Sequence, residues 1–106
     1  MKLTEIESKN PCNVRRTKRE DGLIISTIKP SCLAWYGKFE TALITNYGKE
    51  NQLISILEGY GAREEAVKGH EKYCNMSTDE LLNFEYIGWG GLWKIKSYWR
   101  FLSSYY

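Results

Sequence analysis

The chain has 106 residues, a formal net charge of +2 and 42% apolar residues, which is one domain's worth of chain, able to bury roughly 60–70% of its unfolded surface, and excludes a disordered polymer. No stretch approaches the ~20 apolar residues of a membrane span, and Met1–Asn10, charged at Lys2, Glu5, Glu7 and Lys9, has no apolar run of a signal peptide. Three cysteines without a secretory address predict a reducing cytoplasm, with free thiols or a metal instead of a disulfide framework.

The first predicted unit is a hairpin over 12–29. Val14–Arg19 and Leu23–Lys29 flank Asp21-Gly22, a dipeptide that tolerates the positive φ of tight hairpin turns. The second arm is β-branched and apolar, so it buries at least one face. The first arm carries Arg15, Arg16, Lys18 and Arg19 and reads as an edge strand, where charge discourages sheet-to-sheet pairing. Pro30 ends this unit.

A second hairpin is predicted over 33–58, its arms joined by the polar turn Asn46–Asn51 and its end set by Gly59-Tyr60-Gly61. The period then becomes helical over 62–75. Glu64 and Glu65 open that helix and Lys72 closes it, in the order that suits its dipole. Ala62, Ala66, Gly69, His70 and Tyr73 share one side, with Val67 and Cys74 beside it, and the small residues permit close approach to a sheet. Ser77-Thr78-Asp79-Glu80 is a capping box and predicts a short helix over 78–82. Asn83–Ile87 alternates like a further strand.

The segment after Gly88 differs in kind. Leu92–Tyr106 is aromatic and basic, and as a helix it aligns Leu92, Ile95, Trp99, Leu102 and Tyr106. Four Trp and eight Tyr exceed what a small core absorbs. This segment can cap the core, lie on a membrane surface, or present rings to a partner or to a second copy of the chain. The rings are too many for core capping to absorb together, which favours a partner or self-association surface, and a membrane is not the expected partner. The expected fold is therefore α+β: an antiparallel sheet of about four to five strands, one main helix across it, and an aromatic C-terminal helix. Residues 1–88 form the domain, and 89–106 are its C-terminal element.

Phe39–Ala42 (F-E-T-A), Tyr60 and Glu64–His70 (E-E-A-V-K-G-H) carry a resemblance. The segment 39–75 resembles short uncharacterised proteins of tailed bacteriophages and prophages, which pair an F-E-T strand with an E-E-A-x-x-G-H helix. Those proteins usually have Ser or Thr near the helix start, where this chain has Gly61 and Ala62, so the cap here is weaker. The resemblance implies a phage or mobile-element origin and a host bacterial cytoplasm, not an activity. Read physically, Gly69 marks the closest helix–sheet crossing, and His70 hydrogen-bonds an acceptor at that junction.

Four constellations bear on function. The single histidine means that any Ser–His or Cys–His mechanism must use His70, with Cys74 one turn on as the conceivable nucleophile. No nucleophile elbow, P-loop, dinucleotide fingerprint or H-E-x-x-H is present, so no catalysis and no cofactor is expected. Cys12, Cys32, His70 and Cys74 add up to a Cys₃His zinc set, set against unrelated buried thiols. Arg15, Arg16, Lys18 and Arg19, with Trp89, Trp93, Lys94, Lys96, Tyr98, Trp99 and Arg100, suit phosphate contact with base stacking, or a host-protein interface. A host protein is the preferred partner, on analogy with small inhibitors of bacterial defence such as anti-CRISPR proteins. Nucleic acid is the alternative, and a zinc-stabilised interaction module a third.

Overall fold

A computed structural model describes residues 1–9, 11–29 and 39–84. The architecture is α+β, with five antiparallel strands in sequential order and two helices. Strand β1 (Leu3–Glu5) pairs with β2 (Asn13–Arg19), which pairs with β3 (Ile24–Ile28) across the Asp21-Gly22 turn, where Gly22 has φ +86°. Strand β4 (Phe39–Thr45) follows, then β5 (Leu53–Tyr60), joined by a turn with Asn46 and Gly48 at φ 54° and 78°. Helix α1 (Arg63–Cys74) lies across one face, and α2 (Thr78–Leu82) follows it. The expected aromatic C-terminal helix falls outside the described residues, as do the first residues of the second hairpin.

Every residue of β3 is buried, so this strand is covered on both faces. Under α1 lie Ile25, Leu43 and Leu57, packed with Tyr73, Cys74 and Leu81. On the opposite face Ile24, Ile28, Ala42, Ile44, Ile54 and Ile56 form a second cluster, with Ile6 against it. Two irregularities adjust which residues face the helix. The pairing shifts register between Asn13 and Arg15 and between Thr41 and Ala42. Each bulge turns two successive side chains to one side: Val14 joins Phe39, Tyr60 and Ala66 while Arg15 reaches Glu71, and Leu57 joins the core while Glu58 accepts from Tyr73.

Three sequence expectations change. Strand β2 is not the edge, because Leu3-Thr4-Glu5 pairs outside it. Gly59 and Tyr60 continue β5, and the chain breaks at Gly61 instead. Asn83 is the C-cap of α2, and Phe84 packs edge-on to the Tyr73 ring, so neither starts a strand. The helix ends behave as read: Ala62 offers α1 no side-chain cap, while Ser77 Oγ accepts the Glu80 N–H and donates to its carboxylate.

Candidate functional site: the His70 junction and its cleft

The residues of the F-E-T and G-H strings meet at one place. Gly69 lies directly on the Tyr60 ring, where an added Cβ would overlap Cζ and the hydroxyl. This closeness lets His70, fully buried, reach down between two strands. Its Nδ1 is 2.8 Å from Thr27 Oγ1 and its Nε2 is 2.9 Å from Thr17 Oγ1. Thr27 in turn is 2.6 Å from Thr41 Oγ1. A polar row thus crosses three strands beneath the helix, and every hydroxyl in it is buried.

Proton positions follow from the ends of the row. The Thr17 hydroxyl donates to the Glu5 carboxylate over a long 3.5 Å, and a carboxylate only accepts. With the Thr17 proton on Glu5, Thr17 oxygen accepts from His70 Nε2–H, leaving Nδ1 to accept from Thr27, whose oxygen accepts from Thr41. Burial lowers the His70 pKa to about 4, with Arg15 adding to the shift and Glu5 opposing it. The imidazole is neutral at pH 7. The neighbouring Cys74 thiol is pushed up by burial, against the pull of the Thr17 hydroxyl and Arg15, so it is held as a thiol. A thiolate–imidazolium pair needs the reverse of both shifts.

Tyr60 closes the row at the far side. Its hydroxyl makes no hydrogen bond of standard geometry among the described residues. Burial raises its pKa, and the nearby Thr41 hydroxyl works against that rise.

The junction opens on one side into a cleft of about 170 Å³ between α1 and the β1–β2 edge. Thr17, His70 and Cys74 form its floor, and Leu3, Glu5, Arg15 and Glu71 its rim. Arg15 Nε donates to Glu5 Oε1 at 2.6 Å, and its Nη1 lies 3.6 Å from Glu71 Oε1. The hydrogen bond to Glu5 raises the Arg15 pKa, against the opposing effect of desolvation. Two carboxylates around one guanidinium leave the rim with a net negative charge.

The basic arm disperses across the sheet instead of forming a patch. Arg19 is buried and caps the end of α1, donating to the carbonyls of Tyr73 at 3.1 Å, Cys74 at 3.5 Å and Met76. It also pairs with Asp21 at 2.7 Å. Burial would raise the Asp21 pKa, but hydrogen bonds from Arg19, Thr78 and the Leu23 N–H lower it overall. Arg16, on the other face, is buried against Ser26 Oγ and the Tyr47 hydroxyl, both at 3.3 Å. Arg16 and Arg19 are therefore corrected from interaction residues to internal ones. Lys18 is exposed and Arg15 partly so. Trp89, Trp93, Lys94, Lys96, Tyr98, Trp99 and Arg100 lie outside the described residues.

Among the described residues, the members of the alternative Cys₃His set are not brought together. Cys12 is disulfide-bonded, not a thiol or a zinc ligand. It sits at the open end of the first hairpin, where its carbonyl accepts the Lys29 N–H at 2.9 Å. Cys32 lies outside the described residues. His70 has both nitrogens on threonines, and among the described residues no three His, Cys, Asp or Glu side chains gather to hold a metal. No helix among the described residues is long and apolar enough to cross a membrane.

Sequence reasoning found His70, Gly69 and their junction but missed Thr17, Thr27, Glu5 and Glu71. The signal available was the run of threonines at inward positions of adjacent strands. In comparisons with known proteins, the chain matches no family, no curated protein and no solved structure.

Proposed function

We propose that this protein acts by binding a partner and not by catalysis, as a phage or mobile-element accessory protein directed at a host protein. The observation that carries this reading is the closure of the sole histidine: both ring nitrogens are held by threonines, and the ring is neutral at working pH. The nearest thiol is held protonated by burial. The groups that could do chemistry are spent on joining helix to sheet, which leaves the surface as the working part. Nucleic-acid binding is the weaker alternative, because two of the four basic residues of β2 face inward and the open rim beside them is acidic. The origin rests on the resemblance of residues 39–75, and the action against host defence on analogy of size and origin. A host cytoplasm is the compartment proposed with it. Disulfides seldom persist there, so the fold must tolerate opening of the Cys12 bridge. Affinity capture from host lysate, with and without nuclease, tests the reading: a protein retained after nuclease supports it, and recovery of nucleic acid alone overturns it.

A further inference from the structure

Strand β1 is three residues long and every one of them is exposed. Among the described residues it forms one edge of the sheet. Its pairing with β2 puts Ile6 opposite Arg16, with the Ile6 N–H donating to the Arg16 carbonyl at 2.9 Å. In an antiparallel ladder the bonded pairs alternate. Thr4 opposite Lys18 is then the next bonded pair, and the N–H and C=O groups of Leu3 and Glu5 point away from β2. These are the groups an added strand would use.

The side chains of Leu3 and Glu5 lie on the helix side, on the rim of the 170 Å³ cleft. A strand added to β1 would place the residue opposite Glu5 on that same side, since directly paired residues share a face. Its side chain would enter a cleft whose rim holds Glu5 and Glu71 and one guanidinium, Arg15. Glu5 is already bonded to Arg15, whereas Glu71 stands 3.6 Å from it, with 61% of its side chain exposed. The unsatisfied charge is negative and belongs mainly to Glu71. Beneath it lie the Thr17 hydroxyl and the Cys74 thiol, which are small and uncharged.

We infer that the edge of β1 receives an extended peptide segment of a partner protein, with a lysine or arginine of that segment opposite Glu5 and directed into the cleft beside Glu71. The inference rests on the binding reading above and gives it a surface and a chemical class. Main-chain pairing to Leu3 and Glu5 supplies the docking, and the acidic rim supplies the choice of side chain. A carboxylate at the same peptide position would face Glu5 and Glu71 together.

The probe is a capped pentapeptide of alternating threonine and valine with a central lysine, titrated into isotope-labelled full-length protein and followed by amide NMR. The expected result is shifts at Leu3–Glu5 and at Glu71–Asn75, and binding weakened by about tenfold or more when the central lysine is replaced by glutamate. Leu3→Pro removes one outward N–H without touching the ladder to β2, and it is expected to lose peptide binding while its amide spectrum stays folded. The double variant E5Q/E71Q is expected to keep binding but lose the preference for lysine. Equal affinity for the two peptides, or shifts that survive Leu3→Pro, overturns the inference. So does a dimer formed through β1 in the absence of peptide, which would give the edge to a second copy. If the peptide fails while lysate capture still retains a protein, the inference falls and the binding reading stands. If both fail, both fall.

Discussion

The two faces of the sheet solve the same burial problem in different ways. The face opposite α1 is aliphatic, built from Ile24, Ile28, Ala42, Ile44, Ile54 and Ile56. It is held mainly by area, at roughly 25 cal/mol for each Å² removed from water, with Arg16 hydrogen-bonded to Ser26 and Tyr47 beside it. The face under α1 mixes its apolar residues with the row Thr17–His70–Thr27–Thr41 and with Arg19. Hydrogen bonds there add little net stability when made, but leaving one partner unsatisfied costs the full desolvation of that group. The aliphatic face therefore tolerates changes of shape, whereas the helix face fixes where α1 sits along and across the strands. The cleft inherits that precision, because its floor is the end of the polar row.

Substitutions that leave buried polar groups stranded should separate the faces most clearly. The largest loss is expected for Arg19→Met, which removes the ion-pair partner of Asp21 and strands three carbonyls at the end of α1. About 4 kcal/mol is expected in urea unfolding, against less than about 0.5 kcal/mol for exposed Lys18→Met on the same strand. Next comes Gly69→Ala, expected to cost about 3 kcal/mol by overpacking against Tyr60. Tyr60→Phe should not rescue it, because the ring carbon Cζ overlaps as well as the hydroxyl, whereas Tyr60→Leu should recover part of the loss.

The pH dependence sharpens the comparison without changing shape. Above the ordinary histidine value of 6.5, His70 is neutral in both folded and unfolded chains and contributes no slope. Below it the unfolded chain takes up a proton that the folded protein refuses until about pH 4. Stability thus falls as pH falls across that window, by up to about 3 kcal/mol. In His70→Gln the slope should be smaller by about one proton, as read from urea midpoints at a series of pH values. The smallest contrast pairs two near-isosteric changes, one on each face. Thr27→Val should cost about 2 kcal/mol, because it strands His70 Nδ1 and Thr41. Ile44→Val should cost about 1 kcal/mol.

What was legible in the sequence was local. Asp21-Gly22 placed the first turn, Ser77 and Glu80 placed α2, and Gly69-His70 marked the crossing of helix and sheet. Each depends on chemistry within a few residues or on one steric requirement. Strand β1 was missed because three exposed residues carry too little alternation to stand out. The inward turn of Arg16 and Arg19 was missed for a related reason. Ile24–Ile28 is apolar or small throughout and is buried on both faces, so the strand beside it cannot be a free edge, but that follows only once the partners are known. The end of β5 was misplaced because the bulge at Leu57 resets the face alternation, and Gly59 then looks like a break. The threonine row joins residues 17, 27, 41 and 70 across four elements, and no pattern within a single element reveals it.

The neutral, closed state of His70 carries both the fold and the reading of function, and the ring itself can be asked. Nitrogen-15 and proton NMR of the imidazole, followed from pH 8 to pH 4.5, reports its tautomer and its titration. The prediction is a single neutral form protonated at Nε2, with no midpoint above about pH 5. A midpoint near the ordinary 6.5, or a proton on Nδ1 with Nε2 bare at the cleft, would mean that the ring is open to chemistry, and it would contradict the account.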